Sequence, residues 1–457
     1  MFRKIIFAII VLMVAQQATA QKAVTISGSY DKAGDGVVKL FRVEDGKIVQ
    51  VATCQAGQNR KFGFHFFPAY NGWYVIGTGN ERNNSDNYTV YLKEGDELEI
   101  SIKQNNYSLS GTKNTRESKI VHDWQTMADQ VYQKSVNFSR NSSTFTDFFP
   151  QLEKLVNDAQ VFLKAHANRN TPFSRQLKEL VSMDLLNYSN QFLNTPRSVH
   201  PEVAQFSAYY NTIRVEELTS HAASFYNYPW GNRTLSSVLM TAMRQKGIIP
   251  GGGPKGFSGI LSMVSNDTLK GDLALERMAS VKGYDEYQQY LDLFGKFMIT
   301  ANQEREKLKQ LQALEPFKPG MKGYNFSATD SAGNTIQLKQ LAGKLVLVDC
   351  WATWCGPCKK EEPYWEKLTE RFAGKDIVFT GLSIDEDKTA WKKYMAEKKL
   401  KGLQLHIGTK NEFSSVYKTS AIPRYLLFDR SGNVITTDSP RPSDEALAIL
   451  IEEWLKK

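Results

Sequence analysis

The spacing of hydrophobic and polar positions changes twice along this chain of 457 residues. Between residues 24 and about 111, polar and apolar positions alternate in short runs such as Glu97-Leu98-Glu99-Ile100-Ser101-Ile102. A period of two predicts strands with one buried face. Tyr88-Thr89-Val90-Tyr91-Leu92 leads into that run through the turn Lys93-Glu94-Gly95-Asp96, and Val37-Val38-Lys39-Leu40-Phe41 is a similar segment. Gly, Asn and Asp clusters separate the runs, so a small antiparallel β-sandwich is expected over residues 21–113.

From 114 to 314 the period is helical. Leu152, Leu155, Val156, Ala159, Phe162 and Leu163 fall on one face, and similar stripes recur in 177–193, 236–246 and 284–312. Pro196, Pro229 and Gly251-Gly252-Gly253-Pro254 interrupt them. This reads as a helical domain or connector. Its aromatic residues Tyr209, Tyr210, Phe225, Tyr226 and Tyr228 read as core or partner surface rather than as a cofactor box. Pro316, Pro319 and Gly320 then mark the start of a third region, 315–457, in which strand and helix patterns alternate. That is an α/β pattern long enough to fold independently.

At the start of the chain, Met1-Phe2-Arg3-Lys4 places basic residues before the apolar run Ile5 to Ala15, and Ala18-Thr19-Ala20 supplies small residues. This pattern predicts a secretory signal peptide over residues 1–20, cleaved after Ala20, and it is too short to span a bilayer. An exported protein is the expectation. The formal charge of +9 raises the question of nucleic acid, but lysines are interspersed with acids, as in Lys388 to Lys401, and RNA-reading motifs are absent. A solvated surface is the better reading.

Cys54, Cys350, Cys355 and Cys358 are too few to staple a chain of this size. Two of them carry the chemistry. The apolar run Leu345-Val346-Leu347-Val348-Asp349 leads through Cys350-Trp351 to Trp354-Cys355-Gly356-Pro357-Cys358, and Lys359 to Phe372 has helix composition. Cysteines at a strand-to-helix junction sit where free N–H groups and the helix dipole favour a thiolate. An exposed thiolate at Cys355 is the species that attacks disulfides.

With these residues in place, 317–457 resembles the thioredoxin superfamily, and within it the exported TlpA/ResA-like thiol-disulfide oxidoreductases. Phe317-Lys318-Pro319-Gly320, Phe326, the turn Asp330-Ser331-Ala332-Gly333-Asn334 and Leu341-Ala342-Gly343-Lys344 are similar to that family's N-terminal extension. Cys358-Lys359-Lys360-Glu361-Glu362-Pro363 resembles its Cys-x-x-Glu-x-Pro continuation. Residues 24–115 are similar to a β domain that often precedes such modules in exported bacterial proteins.

The resemblance implies a thioredoxin-like fold and a redox-active disulfide in place of a cofactor. Cys355 is then the nucleophile and Cys358 the resolving thiol. Asp349 matches the buried acid that exchanges a proton with the resolving thiol, and a carboxyl in an apolar strand should have a raised pKa. Ile422-Pro423 matches the cis-proline position, with Ile422 backbone available to an incoming peptide. Trp354, Gly356 and Pro357 would form the apolar rim, and Pro363 should kink the helix. Cys350 stands where Phe is usual and reads as a buried inert thiol. Arg424 stands where Thr is common, which suggests a cationic contact for substrate. Cys54 reads as structural or as a spare thiol.

Zinc would need further ligands near the cysteine pair, and the histidines (65, 122, 166, 200, 221, 406) are scattered. A peroxidase would need Pro and Thr at positions held by Val348 and Ala352. Gly-Pro between the cysteines resembles the reducing thioredoxins, which points to a reductase of protein disulfides fed by a membrane thiol donor. An oxidase or isomerase using the same residues remains open, as does an envelope binding protein with an accessory redox domain.

Overall fold

A computed structural model describes residues 21–81, 84–138, 141–249, 251–417, 419 and 421–457. The expected signal segment lies outside the described residues. The chain divides into two compact units, one within residues 1–249 and the other within 250–457, and the division falls beside Gly251-Gly252-Gly253-Pro254.

The first unit begins with eight strands: β1 (Val24–Asp31), β2 (Val37–Glu44), β3 (Lys47–Gln55), β4 (Lys61–Phe66), β5 (Gly72–Gly77), β6 (Asn87–Leu92), β7 (Glu97–Lys103) and β8 (Tyr107–Leu109). They make two four-stranded sheets, ordered β4-β1-β7-β8 and β3-β2-β5-β6. A wholly antiparallel arrangement was expected, and one pair departs from it: β1 and β7 run parallel. The chain leaves the first sheet after β4, builds β5 and β6 in the second, and returns at β7, so β7 meets β1 in the same direction. The turn Lys93–Asp96 makes that return, with Gly95 at φ 79° and the Asp96 carboxylate accepting from Lys93 N–H at 2.9 Å. One apolar cluster draws on both sheets, including Ile26, Ile100 and Phe64 from one and Leu40, Tyr74 and Val90 from the other.

Among the described residues six α-helices follow in this unit: α1 (Arg116–Ser135), α2 (Phe145–His166), α3 (Pro172–Asn194), α4 (Val215–Leu218), α5 (Ala223–Tyr226) and α6 (Gly231–Gln245). Thr115 and Thr171 cap α1 and α3 through their hydroxyls. In α2, Leu152, Leu155, Ala159 and Phe162 are buried, as their spacing predicts. The long helix α3 is buried nearly all round from Leu185 to Leu193.

Four more helices open the second unit: α7 (Gly253–Leu261), α8 (Asp267–Met278), α9 (Tyr284–Phe294) and α10 (Ala301–Leu314). After them come β9 (Ser327–Thr329), β10 (Thr335–Gln337), β11 (Leu345–Trp351), α11 (Gly356–Arg371), β12 (Ile377–Ser383), α12 (Lys388–Lys398) and β13 (Leu403–His406). The chain ends with α13 (Glu412–Val416), β14 (Arg424–Phe428), β15 (Val434–Thr436) and α14 (Glu445–Leu455). The sheet order is β10-β9-β13-β12-β11-β14-β15.

The central strand β11 runs parallel to β12 and antiparallel to β14. Leu345 to Val348 are at most 1% exposed, because helices cover both faces of the sheet and the strand must be apolar on each. On one face Leu345 and Leu347 join Trp365 and Leu368 of α11 and Leu447 and Ile451 of α14. Helix α11 continues across Pro363 to Arg371. Among the described residues, no helix is long and apolar enough to cross a membrane.

Candidate active site

The strand β11 hands the chain to α11 through Ala352-Thr353-Trp354, and Cys355 is the residue that caps the helix. Its Sγ accepts the Cys358 backbone N–H at 3.2 Å, so the sulfur occupies the place a Ser or Asp oxygen takes at an ordinary N-cap. Cys355 and Cys358 are joined as a disulfide, with their Cα atoms 5.3 Å apart. The sequence predicts an exposed Cys355; in the disulfide form it is 4% exposed. Both cysteines pack in a cluster with Trp351, Ala352, Ile384 and Trp391, which accounts for the difference. Around them, Trp354 is 65% exposed, and Gly356 and Pro357 are exposed too. Nothing lies within 4 Å of a Cβ built on Gly356, so the rim is open at that point.

From the far side of the sheet's end comes Ile422, half-buried and packed against the same cluster. The Ile422–Pro423 bond is cis. The structure therefore gathers Cys355, Cys358 and Ile422 into one patch, with Pro423 next in the chain.

Asp349 sits on β11 between Gly381 of β12 and Tyr425 of β14. The residue as a whole is half-buried, yet its Oδ1 is sealed from solvent and has no hydrogen-bond partner. Burial, with the Glu362 and Glu361 carboxylates adding to it, holds its pKa well above the ordinary carboxylate range. Asp349 and Cys358 both line a cavity of about 20 Å³, room for a single water. Gln404 lines it as well, and its Oε1 also lacks a partner. A Cβ on Gly381 would stand 2.2 Å from that Oε1, so the glycine lets the Gln404 side chain cross β12 to the cavity.

Besides Gln404, three contacts escaped the sequence reading. Asp385, 2% exposed, accepts from Thr353 N–H at 3.0 Å and from the Thr353 hydroxyl at 2.7 Å, and so pins the loop that leads into Cys355. The Ser383 hydroxyl donates to its other oxygen at 2.8 Å. Glu362 accepts from the Tyr394 hydroxyl at 2.7 Å, beside the Asp349 cavity. Glu361, 7% exposed, accepts from both the N–H and the hydroxyl of Ser443 at 3.0 Å, tying α11 to the segment that starts α14. The available signal for Asp385 was its position just past the carboxyl end of a strand next to β11.

Two further expectations meet different fates. Cys350 is fully buried, and burial pushes its thiol far up. Arg424, expected as a substrate contact, is 2% exposed and donates to the Thr437 carbonyl at 2.8 Å and the Lys282 carbonyl at 3.4 Å. Its place opposite Cys350 on an interior strand turns it inward, so it is a structural cation. Cys54 is a half-buried free thiol at the edge of the first unit's core. Among the described residues no group of three or more His, Cys, Asp or Glu side chains could hold a metal ion.

The family model described as Redoxin matches residues 318–448. Thiol-disulfide oxidoreductase ResA of Bacillus thuringiensis subsp. konkukian is 34% identical over 143 residues, which are 31% of this chain and 80% of that protein. The chain belongs to the ResA-like thiol-disulfide oxidoreductases. ResA of Bacillus subtilis is 29% identical over 121 residues, 26% of this chain and 67% of its own length. The crystal structure of the thioredoxin domain of a thiol-disulfide oxidoreductase from Bacteroides vulgatus is 28% identical, covering 30% of this chain and 98% of that one, with a TM-score of 0.28. By the family match and the ResA identity, the C-terminal region is a thioredoxin-like α/β domain, and the chain is a thiol-disulfide oxidoreductase with a Cys355–Cys358 disulfide.

Proposed function

We propose that this protein is an exported reductase of protein disulfides in the bacterial periplasm, working through the Cys355–Cys358 dithiol. The observation that carries the reading is the disulfide at the start of α11, with Asp349 and Cys358 lining one water-sized cavity. In the reduced enzyme the Cys355 thiolate attacks a substrate S–S bond. That bond breaks, one substrate sulfur leaves as thiolate, and a mixed disulfide forms. Cys358 gives its proton to Asp349 across the cavity they both line and attacks the Cys355 sulfur. The substrate departs with two thiols, and the enzyme is left as the Cys355–Cys358 disulfide. A membrane thiol donor then returns the two electrons. Trp354, Gly356 and Pro357 are the apolar surface for the substrate, and the Ile422 backbone beside Pro423 offers an edge for an extended peptide.

Export rests on the leader pattern of residues 1–20, cleaved after Ala20. We divide the mature chain into a β-sandwich-like domain (21–113), a helical region (114–314), which the division at 249/250 parts between the two compact units, and the thioredoxin-like domain (315–457). The apolar cluster shared by the two sheets supports the sandwich, and the family match beginning at 318 supports the last boundary. Trapping tests the reading. A Cys358→Ala chain should accumulate mixed disulfides through Cys355 in envelope extracts, released by dithiothreitol. Absence of such adducts, with the Cys355→Ala chain as the blank, would sink the substrate assignment.

A further inference from the structure

The first unit holds a cavity of about 330 Å³ that the redox chemistry does not use. It is lined by β6, by the β7–β8 turn, and by the facing sides of α1 and α3. Tyr88, Tyr107, Tyr132, Tyr188 and Trp230 are among the residues that line it. Lys103, Asn106 and Thr126 at its mouth are exposed, whereas Asp184, Tyr188 and Trp230 are at least nine-tenths buried.

Asp184 is the unusual member. Its Oδ2 accepts from Trp124 Nε1–H at 2.8 Å, its Oδ1 accepts from the Tyr228 hydroxyl at 2.6 Å, and the Tyr188 hydroxyl also bonds to it. All three donors are neutral, and no cation among the described residues acts on this carboxyl. Burial raises its pKa to about 6. A buried carboxylate is ordinarily paired with a cation. Asp129 lines the same cavity from α1, and it acts electrostatically on Tyr188. Asn84, 2% exposed, lines the wall, and neither its amide oxygen nor its amide nitrogen has a partner. Among the described lining residues, the groups of the other sign are Lys103 at the exposed mouth and His122, which is engaged with the Tyr107 carbonyl at 3.4 Å.

Aromatic side chains, two carboxyl groups and an unpartnered amide oxygen together make a receptor for positive charge. A neutral polyol would gain from the rings and the amide but would leave Asp184 without a counter-charge. We propose that this cavity binds a small organic cation, its alkylammonium group seated among Tyr88, Tyr132 and Tyr188 and facing Asp184 and Asn84. The ammonium could belong to a free amine or to the lysine side chain of a peptide; the chemistry recognised is the same.

Calorimetric titration of the purified full chain tests this. The cationic probes are choline and 1,5-diaminopentane, each set beside its neutral counterpart, 3,3-dimethylbutan-1-ol or 1,5-pentanediol. Saturable binding of at least one cation is expected, with its neutral counterpart weaker by about tenfold or more. The affinity should fall by a similar factor in Asp184→Asn, and also in Asp129→Asn, whose half-buried position makes it the safer variant to fold. Lys103→Gln should bind as well as the parent or better. N-acetylated Gly-Lys-Gly in place of diaminopentane separates the two sources: tighter binding of the peptide assigns a lysine side chain, weaker binding a free amine. The proposal falls if neither cation saturates by about 10 mM. It falls equally if the neutral counterpart binds as tightly, or if folded Asp184→Asn and Asp129→Asn chains both keep the parent affinity.

Discussion

Replacing Asp349 by Asn keeps the shape of the side chain and removes its charge, which isolates what the buried carboxyl costs the fold. Burial first, then Glu362 and Glu361, hold its folded-state pKa well above 3.8. The folded chain therefore keeps this proton to higher pH than the unfolded chain does. Stability from that source is fully present below about 3.8 and is lost as pH rises through the folded-state pKa. Inside this window the loss is about 1.4 kcal/mol for each step of one in pH. Asparagine has no proton to lose, so Asp349→Asn should be more stable than the parent at neutral pH, with an advantage that grows as pH rises from about 4. Its advantage should shrink toward zero near pH 4. Hydrogen-exchange mass spectrometry on peptides covering β11 and β12, corrected for intrinsic rates and run on the oxidised chains at several pH values, reads the opening of the second unit alone. The same variant should reduce insulin disulfides more slowly, because Cys358 loses its proton acceptor. A stability gain that does not change with pH, or a variant less stable at pH 7 than at pH 5 relative to the parent, would refute the reasoning.

Other consequences follow from the same geometry. Cys350 is sealed and its thiol is pushed far up, so in the native chain at pH 8 it should resist iodoacetamide, and Cys350→Ala should retain disulfide reductase activity; native-state alkylation followed by peptide mapping checks the first point. Asp385→Ala leaves the Thr353 N–H without its acceptor and should cost the second unit roughly 1–3 kcal/mol, with the turnover number falling because the Cys355 loop loosens; urea titration and insulin reduction measure the two effects. Gly381→Ala should drive the Gln404 side chain away from the cavity beside Asp349 and slow resolution of the mixed disulfide, so that rapid-quench trapping finds more of that intermediate than in the parent.

How much of this was legible in the sequence depended on whether the deciding contacts were local. The strand-to-helix junction was, because a run of apolar residues followed by two cysteines and a helix pattern is contained within about thirty residues. Asp349 was legible too, as a lone acid in that apolar run. Arg424 was misread because only its neighbour Pro423 was visible; what decides its direction is the pairing of β14 with β11, which sets it opposite Cys350. The burial of Cys355 depends on Trp391, Ile384 and Ile422, residues 29 to 67 positions downstream. Asp385 and Gln404 were invisible for a similar reason, since each matters only through what it faces across the sheet. In the first unit, the strand pattern predicted strands but not the parallel β1–β7 pair, because register and direction are set by how the chain returns rather than by residue period.

The central claim concerns the direction in which the Cys355–Cys358 pair works. Its equilibrium reduction potential, measured on a chain that starts at Gln21 by titration against dithiol buffers, tests it most directly. The account predicts a value near or below about −250 mV, that of a reductase needing a membrane electron source. A value between about −180 and −120 mV would contradict it and make the protein an isomerase or an oxidase.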